Sequence, residues 1–192
     1  MSSHLKKVII LTAPSGAGKT SITRFLLNKY PSLAFSVSAT TRAPRGSEKD
    51  GVDYHYITPE IFEAHIDQND FLEYEMVYKG VYYGTLKSEL DRIWNQGKIP
   101  ILDIDVKGAI HVQKILGTQS FSIFIQPPSI EVLKERLLHR KTETPESIQI
   151  RLDKAAYEMS FASEFNAIVK NEILEVACTE TETLINNFLA SV

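Results

Sequence analysis

Residues 8–20 read VIILTAPSGAGKT, and this stretch decides the fold of the chain. Residues 8–11 form a continuous apolar, β-branched run that is too short for a buried helix, so they predict a parallel strand covered on both faces. A glycine-rich loop follows, and residues 20–30 then carry apolar side chains at helical spacing before a stop at Pro31. A glycine loop that joins a buried strand to a helix is typical of a phosphate-binding loop.

The loop matches the pattern G-x-x-x-x-G-K-[ST] except at its first position, where Ala13 replaces glycine. Inward-facing backbone N–H groups and the positive end of the following helix are expected to bind phosphates. Lys19 is expected to reach the β- and γ-phosphates, and the Thr20 hydroxyl to bind Mg²⁺. Alanine tolerates this position only with a negative φ, which we predict for Ala13. The residues predicted to bind the triphosphate are Ala13, Pro14, Ser15, Gly16, Ala17, Gly18, Lys19 and Thr20.

Composition narrows the class of protein. The 192 residues are 43% hydrophobic and 23% charged, which is typical of one soluble globular domain with room for small insertions. The net charge of −3 argues against a nucleic-acid binder, which needs a basic surplus. Cys178 is the single cysteine, so we expect no internal disulfide. We recognise no signal peptide and no apolar stretch of membrane length, and therefore expect a cytoplasmic enzyme that does not bind membranes.

The remainder of the chain predicts strands that alternate with helices. Outside residues 39–86, the predicted strands are 34–38, 99–105, 121–125 and 167–169, and the predicted helices are 86–95, 106–116, 130–139, a longer one from about 151 to 164, and 181–189. Such alternation is typical of a parallel sheet with helices on both faces, which makes a three-layer α/β fold. Residues 39–86 instead predict a loop, a helix from Pro59 to about 68, and strands at 54–57, 71–78 and 81–85. We interpret them as a strand-rich insertion.

Several segments beyond the loop resemble the guanylate kinase family. They are residues 36–46 (SVSATTRAPRG), 53–54 (DY), 71–74 (FLEY), 82–85 (YYGT) and 101–105 (ILDID). The resemblance covers nearly the whole chain in the same order, and it implies a P-loop kinase fold with a GMP-binding subdomain and a helical lid. The implied divisions are a core at 1–38, 87–134 and 156–192, the GMP-binding subdomain at 39–86, and the lid at 135–155.

The resemblance also implies an acceptor site for GMP. Guanidinium groups bind phosphate in bidentate geometry, and tyrosine hydroxyls can donate to the same oxygens. An ionised glutamate accepts from the N1–H and N2 amino groups of guanine, whereas adenine places a lone pair at N1. The residues implied for the GMP phosphate are Arg42, Arg45, Tyr54 and Tyr83, and those for the base are Ser38, Glu73, Thr85 and Asp105.

Asp103 and Asp105 stand two apart on a predicted strand, so both should point to one face at its carboxyl end, where α/β folds bind ligands. We expect Asp103 to hold Mg²⁺ through water and Asp105 to face the acceptor, although the division of roles between them stays open. The resemblance implies an arginine lid over the ATP phosphates, with Lys141 in place of a usual glycine, and an adenine-side contact at Asn171. The implied catalytic residues are Lys19, Arg42, Arg136, Arg140, Arg151 and Asp103.

The reaction implied is direct in-line transfer of the γ-phosphate of ATP to GMP or dGMP, with Mg²⁺. A guanylate-kinase-like scaffold module is one alternative, but such modules usually lack a working phosphate loop, whereas Lys19, Thr20 and Asp103 are present here. A kinase for a phosphorylated sugar is a second, which the base-reading residues argue against. A plain NTPase switch is a third, and it would have no use for an acceptor site. The sequence leaves open whether the chain is a monomer or a homo-oligomer.

Overall fold

The structure is a computed structural model that describes residues 6–139 and 145–191. Its strands are β1 Val8–Thr12, β2 Leu33–Phe35, β3 Ala39–Thr40, β4 His55–Tyr56, β5 Phe71–Tyr78, β6 Val81–Leu86, β7 Ile99–Asp103, β8 Ser120–Gln126 and β9 Ala167–Lys170. Its helices are α1 Lys19–Lys29, α2 Pro59–Asp67, α3 Lys87–Asn95, α4 Val106–Leu116, α5 Ile130–His139, α6 Pro145–Met159 and α7 Leu174–Ala190. Within these described ranges, no helix has the length and apolar character needed to cross a bilayer.

The larger sheet is parallel and has the strand order β2-β7-β1-β8-β9. All five residues of β1 are buried, because helices cover both faces of the sheet. Ile9 and Leu11 pack with residues of α1 and α7, whereas Val8 and Ile10 pack with residues of α3 and α4. The alternation of side chains along β1 therefore supplies two cores, and the predicted three-layer α/β fold is confirmed.

A second sheet, with the order β4-β3-β6-β5, lies entirely within residues 39–86. Its own small core surrounds Phe62 of α2, whose ring stacks on Phe71 at 4.3 Å and on Tyr82 at 5.1 Å between centroids. The chain enters this region after β2 and returns to the larger sheet through α3 and β7. The second sheet thus has a small core of its own, while Leu72 of β5 packs into the core of the larger sheet beside α3 and α4.

The predicted strand at 34–38 is wrong in its extent. β2 ends at Phe35, and although the Ser36 N–H still bonds to Ile101, the Val37 N–H turns to the carboxylate of Glu89. A side chain from another element thus replaces the strand ladder at that point, which the local sequence does not reveal.

Two helices also differ from prediction. α7 begins at Leu174 rather than 181, because Ala177 and Cys178 already pack in the core although the polar residues between them and Ile185 weaken the apolar pattern. α6 begins at Pro145 rather than near 151, since proline suits the first turn of a helix, and it ends at Met159 before a short 3₁₀ turn.

Candidate nucleotide site

The glycine loop between β1 and α1 has the backbone that a phosphate site needs. Gly16 and Gly18 adopt φ values of 93° and 99°, a region that favours glycine. Ala13 does not have positive φ, so that prediction is confirmed. A Cβ atom on Gly18 would lie 2.1 Å from Nδ2 of Asn171, so glycine is required there for space as well as for conformation.

Lys19 opens α1 and reaches across to the end of β7. Its Nζ atom forms an ion pair with Asp103 and lies 3.3 Å from the carbonyl oxygen of Ile104. β1 and β7 are neighbours with Leu11 opposite Asp103, so their carboxyl ends bring the loop and the aspartate together. Thr20 is the second residue of α1, and it is exposed. The predicted lysine and aspartate therefore meet at one point.

The interpretation of Asp103 and Asp105 as neighbours on one strand face is wrong. β7 ends at Asp103, and Asp105 is the N-cap of α4, with Oδ1 accepting from the Gly108 N–H at 2.8 Å. Aspartate is a preferred N-cap residue, so helix capping ended the strand early. The neighbouring carboxylate of Asp105, together with burial, raises the pKa of Glu75 to about 7.

Glu73 lies in a buried pocket between the second sheet and α4. Thr85, its partner across β5 and β6, donates to Oε1 at 2.6 Å. A Cβ atom on Gly108 would lie 2.8 Å from Glu73 Oε2, so α4 closes the other side. Burial raises the pKa of Glu73 to about 7, with Asp105 adding repulsion and Thr85 opposing both. Three of the predicted base contacts, Glu73, Thr85 and Asp105, therefore come together.

A second pocket of the same sheet surrounds Arg42. The guanidinium donates from Nε to the Tyr83 hydroxyl at 2.8 Å and lies 4.9 Å from the centre of the Tyr54 ring. The rings of Tyr54 and Tyr83 are 5.7 Å apart in an edge-to-face arrangement. Arg45 is exposed on the adjoining loop. Arg42 and both tyrosines are thus assembled, and Arg45 stands beside them.

Comparison with known proteins agrees with this geometry. The family model described as guanylate kinase matches residues 5–188. The chain belongs to the guanylate kinase family. A guanylate kinase of Salinibacter ruber is 50% identical over 186 residues, 97% of this chain and 98% of the relative. That of Bacteroides thetaiotaomicron is 49% identical over 183 residues, 95% and 90% of the two chains.

Comparison with a solved structure shows the same fold. The crystal structure of guanylate kinase from Anaplasma phagocytophilum superimposes with a TM-score of 0.75 at 26% identity, covering 97% of this chain and 87% of that one. The guanylate kinase fold is therefore shared along almost the entire chain, including the second sheet.

Sequence reasoning missed Glu48, which the structure places at the Arg42 pocket. Its carboxylate accepts from Arg42 at 2.6 Å and 2.9 Å, from the Tyr56 hydroxyl at 2.8 Å and from the Arg45 backbone N–H at 2.8 Å. The bonds from Arg42 hold the pKa of Glu48 down at about 2. The available signal was an acidic residue in a loop that carries two arginines of the guanylate kinase pattern.

The helices after β8 approach the glycine loop of this guanylate kinase fold. Arg136 on α5 donates to the Asn171 carbonyl at 3.0 Å, and Arg151 on α6 donates to the Ser15 hydroxyl at 2.5 Å. Asn171 is buried below the loop and donates from Nδ2 to the Ala17 carbonyl at 2.7 Å. Arg136 and Arg151 are thus brought to the donor side, whereas Arg140 and Lys141 lie outside the described residues.

Proposed function

We propose that this chain transfers the γ-phosphate of ATP to GMP, and more slowly to dGMP, giving ADP and GDP or dGDP. The observation that carries the proposal is the adjacency of two sites. The loop lysine Lys19 pairs with Asp103, and two residues further on Asp105 faces the carboxylate pocket of Glu73. A phosphate-binding loop beside a pocket of hydrogen-bond acceptors matches a triphosphate donor and a guanine acceptor.

The Glu73 pocket supplies the selectivity for guanine. Its ionised carboxylate offers acceptors to N1–H and the N2 amino group, and the Thr85 hydroxyl fixes its orientation. Adenine would leave a buried carboxylate facing a lone pair, a mismatch that can discriminate by about 10⁴-fold. Ser38 and Asp105 complete the proposed base contacts.

The Arg42 pocket binds the phosphate of GMP in this proposal. Glu48, Tyr83 and Tyr54 already orient the guanidinium, so little ordering of Arg42 is needed when the nucleotide arrives. Arg45, exposed beside the pocket, adds a second cation. Both tyrosines can turn their hydroxyl groups to the phosphate oxygens.

The transfer itself needs positioning and charge neutralisation rather than a strong base, because the GMP phosphate is already an anionic nucleophile. Lys19 neutralises charge on the transferred group, and Arg136 and Arg151 approach from the lid side. Arg140 is proposed as a further lid cation, and Asn171 as part of the adenine side. The core, GMP-binding subdomain and lid, at the boundaries given above, are proposed to close together and exclude water.

Mg²⁺ is the proposed metal, carried in with ATP. Thr20 offers an exposed hydroxyl and Asp103 a half-buried carboxylate close to the loop. Among residues 6–139 and 145–191, no group of three or more acidic, histidine or cysteine side chains could hold a metal alone. That fits Mg²⁺, which binds through one or two protein oxygens, phosphates and water. Thr20 would bind it directly and Asp103 through water, where it neutralises phosphate charge.

The proposed partners are nucleotides, with neither nucleic acid nor membrane involved, and the proposed location is the cytoplasm. The purified chain would act as a monomer or a homo-oligomer. In either state the loop, the Glu73 pocket and the Arg42 pocket all come from one chain.

The proposal is tested by following a γ-labelled ATP. With GMP and Mg²⁺, the label should appear in the β-phosphate of GDP, with one labelled GDP for each ADP formed. Without GMP, little labelled phosphate should be released from ATP. Label that accumulates as inorganic phosphate, at a rate independent of GMP, would identify a hydrolase instead. Label retained on the protein would contradict direct transfer.

A further inference from the structure

The second sheet joins the larger one beside the first turn of α3. The chain enters through residues 36–38 and leaves through Leu86 into α3. Glu89 lies in that first turn and is only 5% exposed. A carboxylate buried at such a junction has to be paired, because an unpaired buried ion is costly.

The Glu89 carboxylate has partners on both sides of the junction. Oε1 accepts from the Val37 backbone N–H at 3.0 Å, and Arg92 donates to Oε1 at 2.7 Å and to Oε2 at 2.8 Å. The Nε2 atom of His55, in the second sheet, lies 3.9 Å from Oε2. Burial raises the pKa of Glu89, but the bonds from Arg92 and Val37 outweigh it, so the pKa lies below its usual value.

The bond to Val37 fixes the backbone one residue before Ser38. Val37 is buried, so its N–H has no water to replace a lost partner. The Ser38 carbonyl accepts in turn from the His55 N–H at 2.9 Å. Glu89 therefore holds one end of the Val37–Ser38 segment and β4 holds the other, so both bonds bear on the position of Ser38.

We propose that Glu89 is a positioning residue for the acceptor site, fixing Val37 and, through it, Ser38, the proposed contact to guanine. This inference rests on the proposed function, since Ser38 is a proposed base contact. Loss of a bond to a buried charged acceptor leaves both the N–H and Arg92 unpaired. We expect Glu89→Ala to raise KM for GMP by about tenfold and to leave KM for ATP within about twofold.

Three variants separate positioning from general stability. Glu89→Gln keeps an acceptor for Val37 without a buried charge and should recover much of the KM for GMP. Arg92→Met keeps the acceptor but leaves the carboxylate without its cation, so its KM for GMP should lie between those of the parent and Glu89→Ala. Asp91→Asn is the matched control, because Asp91 is exposed on the same helix and pairs only with Lys6 in the described structure. All are assayed well below their melting temperatures, so a variant's lower stability does not enter KM. If Glu89→Ala does not fold, Glu89→Asp takes its place, because its carboxylate is one methylene short of the Val37 N–H and KM for GMP should still rise.

The route through Ser38 is tested by a double-mutant cycle. If Glu89 acts by placing Ser38, its replacement should matter less in a Ser38→Ala background, because the contact is already lost. The fold-increase in KM for GMP should then be at least three times smaller than the fold-increase in the parent. Increases that multiply, or an equal rise in KM for ATP and GMP, would overturn the inference. A parent chain that does not phosphorylate GMP would instead overturn the proposed function, so the two failures are distinguishable.

Discussion

The glycine loop at residues 13–20 and the pocket around Arg42 are both suited to phosphate, but they are built from different parts of the chain. The loop consists of consecutive residues, and its proposed phosphate-binding groups are mainly backbone N–H groups, with Gly16 and Gly18 at positive φ. The Arg42 pocket is assembled from Tyr54, Tyr83 and Glu48, which side-chain bonds hold together across the second sheet.

This difference indicates which substitutions should impair the glycine loop and which should impair the Arg42 pocket. A backbone site depends on a few residues that cannot be replaced, such as Gly18 against Asn171. A side-chain site depends on charges that hold one another, such as Arg42 and Glu48. Changes in the loop should therefore affect turnover, whereas changes in the second sheet should affect the acceptor alone.

The largest effect is expected from Lys19→Met. Loss of the loop cation should lower kcat by about 10³-fold, because charge on the transferred phosphate is no longer neutralised. Steady-state kinetics measure kcat, and calorimetry should show GMP binding unchanged. Lys29→Met, on the same helix but exposed and paired with Glu182, is the control and should keep full activity. Weaker GMP binding by the Lys19 variant would contradict our separation of the glycine loop from the acceptor site.

Glu73→Gln should raise KM for GMP by about 10²-fold with KM for ATP unchanged. The amide presents donor hydrogens where guanine also presents donors, so at least one polar group stays unpaired. Glu60→Gln, an exposed change on α2 in the same insertion, is the control. Equal loss of affinity for both nucleotides would show that Glu73 supports the fold rather than reads the base.

Arg42→Ala should raise KM for GMP by about 30-fold, since a charged hydrogen-bonding group is lost from the phosphate pocket. Arg42→Lys should recover little of the affinity for GMP, because an ammonium cannot contact Tyr83 and both Glu48 oxygens in the geometry of a guanidinium. Arg24→Ala, an exposed change on α1, is the control. A rise in KM for ATP alone would contradict the assignment of this pocket to GMP.

KM for GMP should rise by up to about tenfold as the pH falls from 8 to 6. The pKa of Glu73 is raised to about 7, so the ionised form that guanine needs is present above pH 7 and is lost below it. Initial rates across this range give the profile. The Glu73→Gln variant gives the part of the pH dependence of KM that arises from all other groups. An identical pH profile in both proteins would contradict the role of Glu73.

The smallest effect is expected from Ala13→Gly, which restores the first glycine of the loop pattern. Ala13 does not need positive φ, so kcat should stay within about twofold, and the free energy of unfolding should fall by about 0.5–1 kcal/mol. Thermal unfolding measures the loss. Gain of activity in the glycine variant would show that alanine limits the loop.

Much of this arrangement could be predicted from the sequence, and the rest could not for a physical reason. The loop was recognisable because its groups are consecutive and its glycines are required by conformation. The parallel sheet followed from apolar strands that alternate with helices. The parts missed, the cap at Asp105, the bond from Val37 to Glu89 and the pairing of Arg42 with Glu48, depend on side chains meeting from separate elements. Residue patterns along one segment carry no signal for such contacts.

The most direct test of the two-half account is a panel of nucleoside monophosphates, with ATP and Mg²⁺ as the donor. The measured quantity is kcat/KM for GMP, dGMP, AMP, CMP and UMP at pH 8, where Glu73 is ionised. We predict that kcat/KM for GMP exceeds that for AMP by about 10⁴-fold, and that dGMP ranks next after GMP. Values for AMP within about tenfold of GMP would contradict it, because the second sheet would then not read the base.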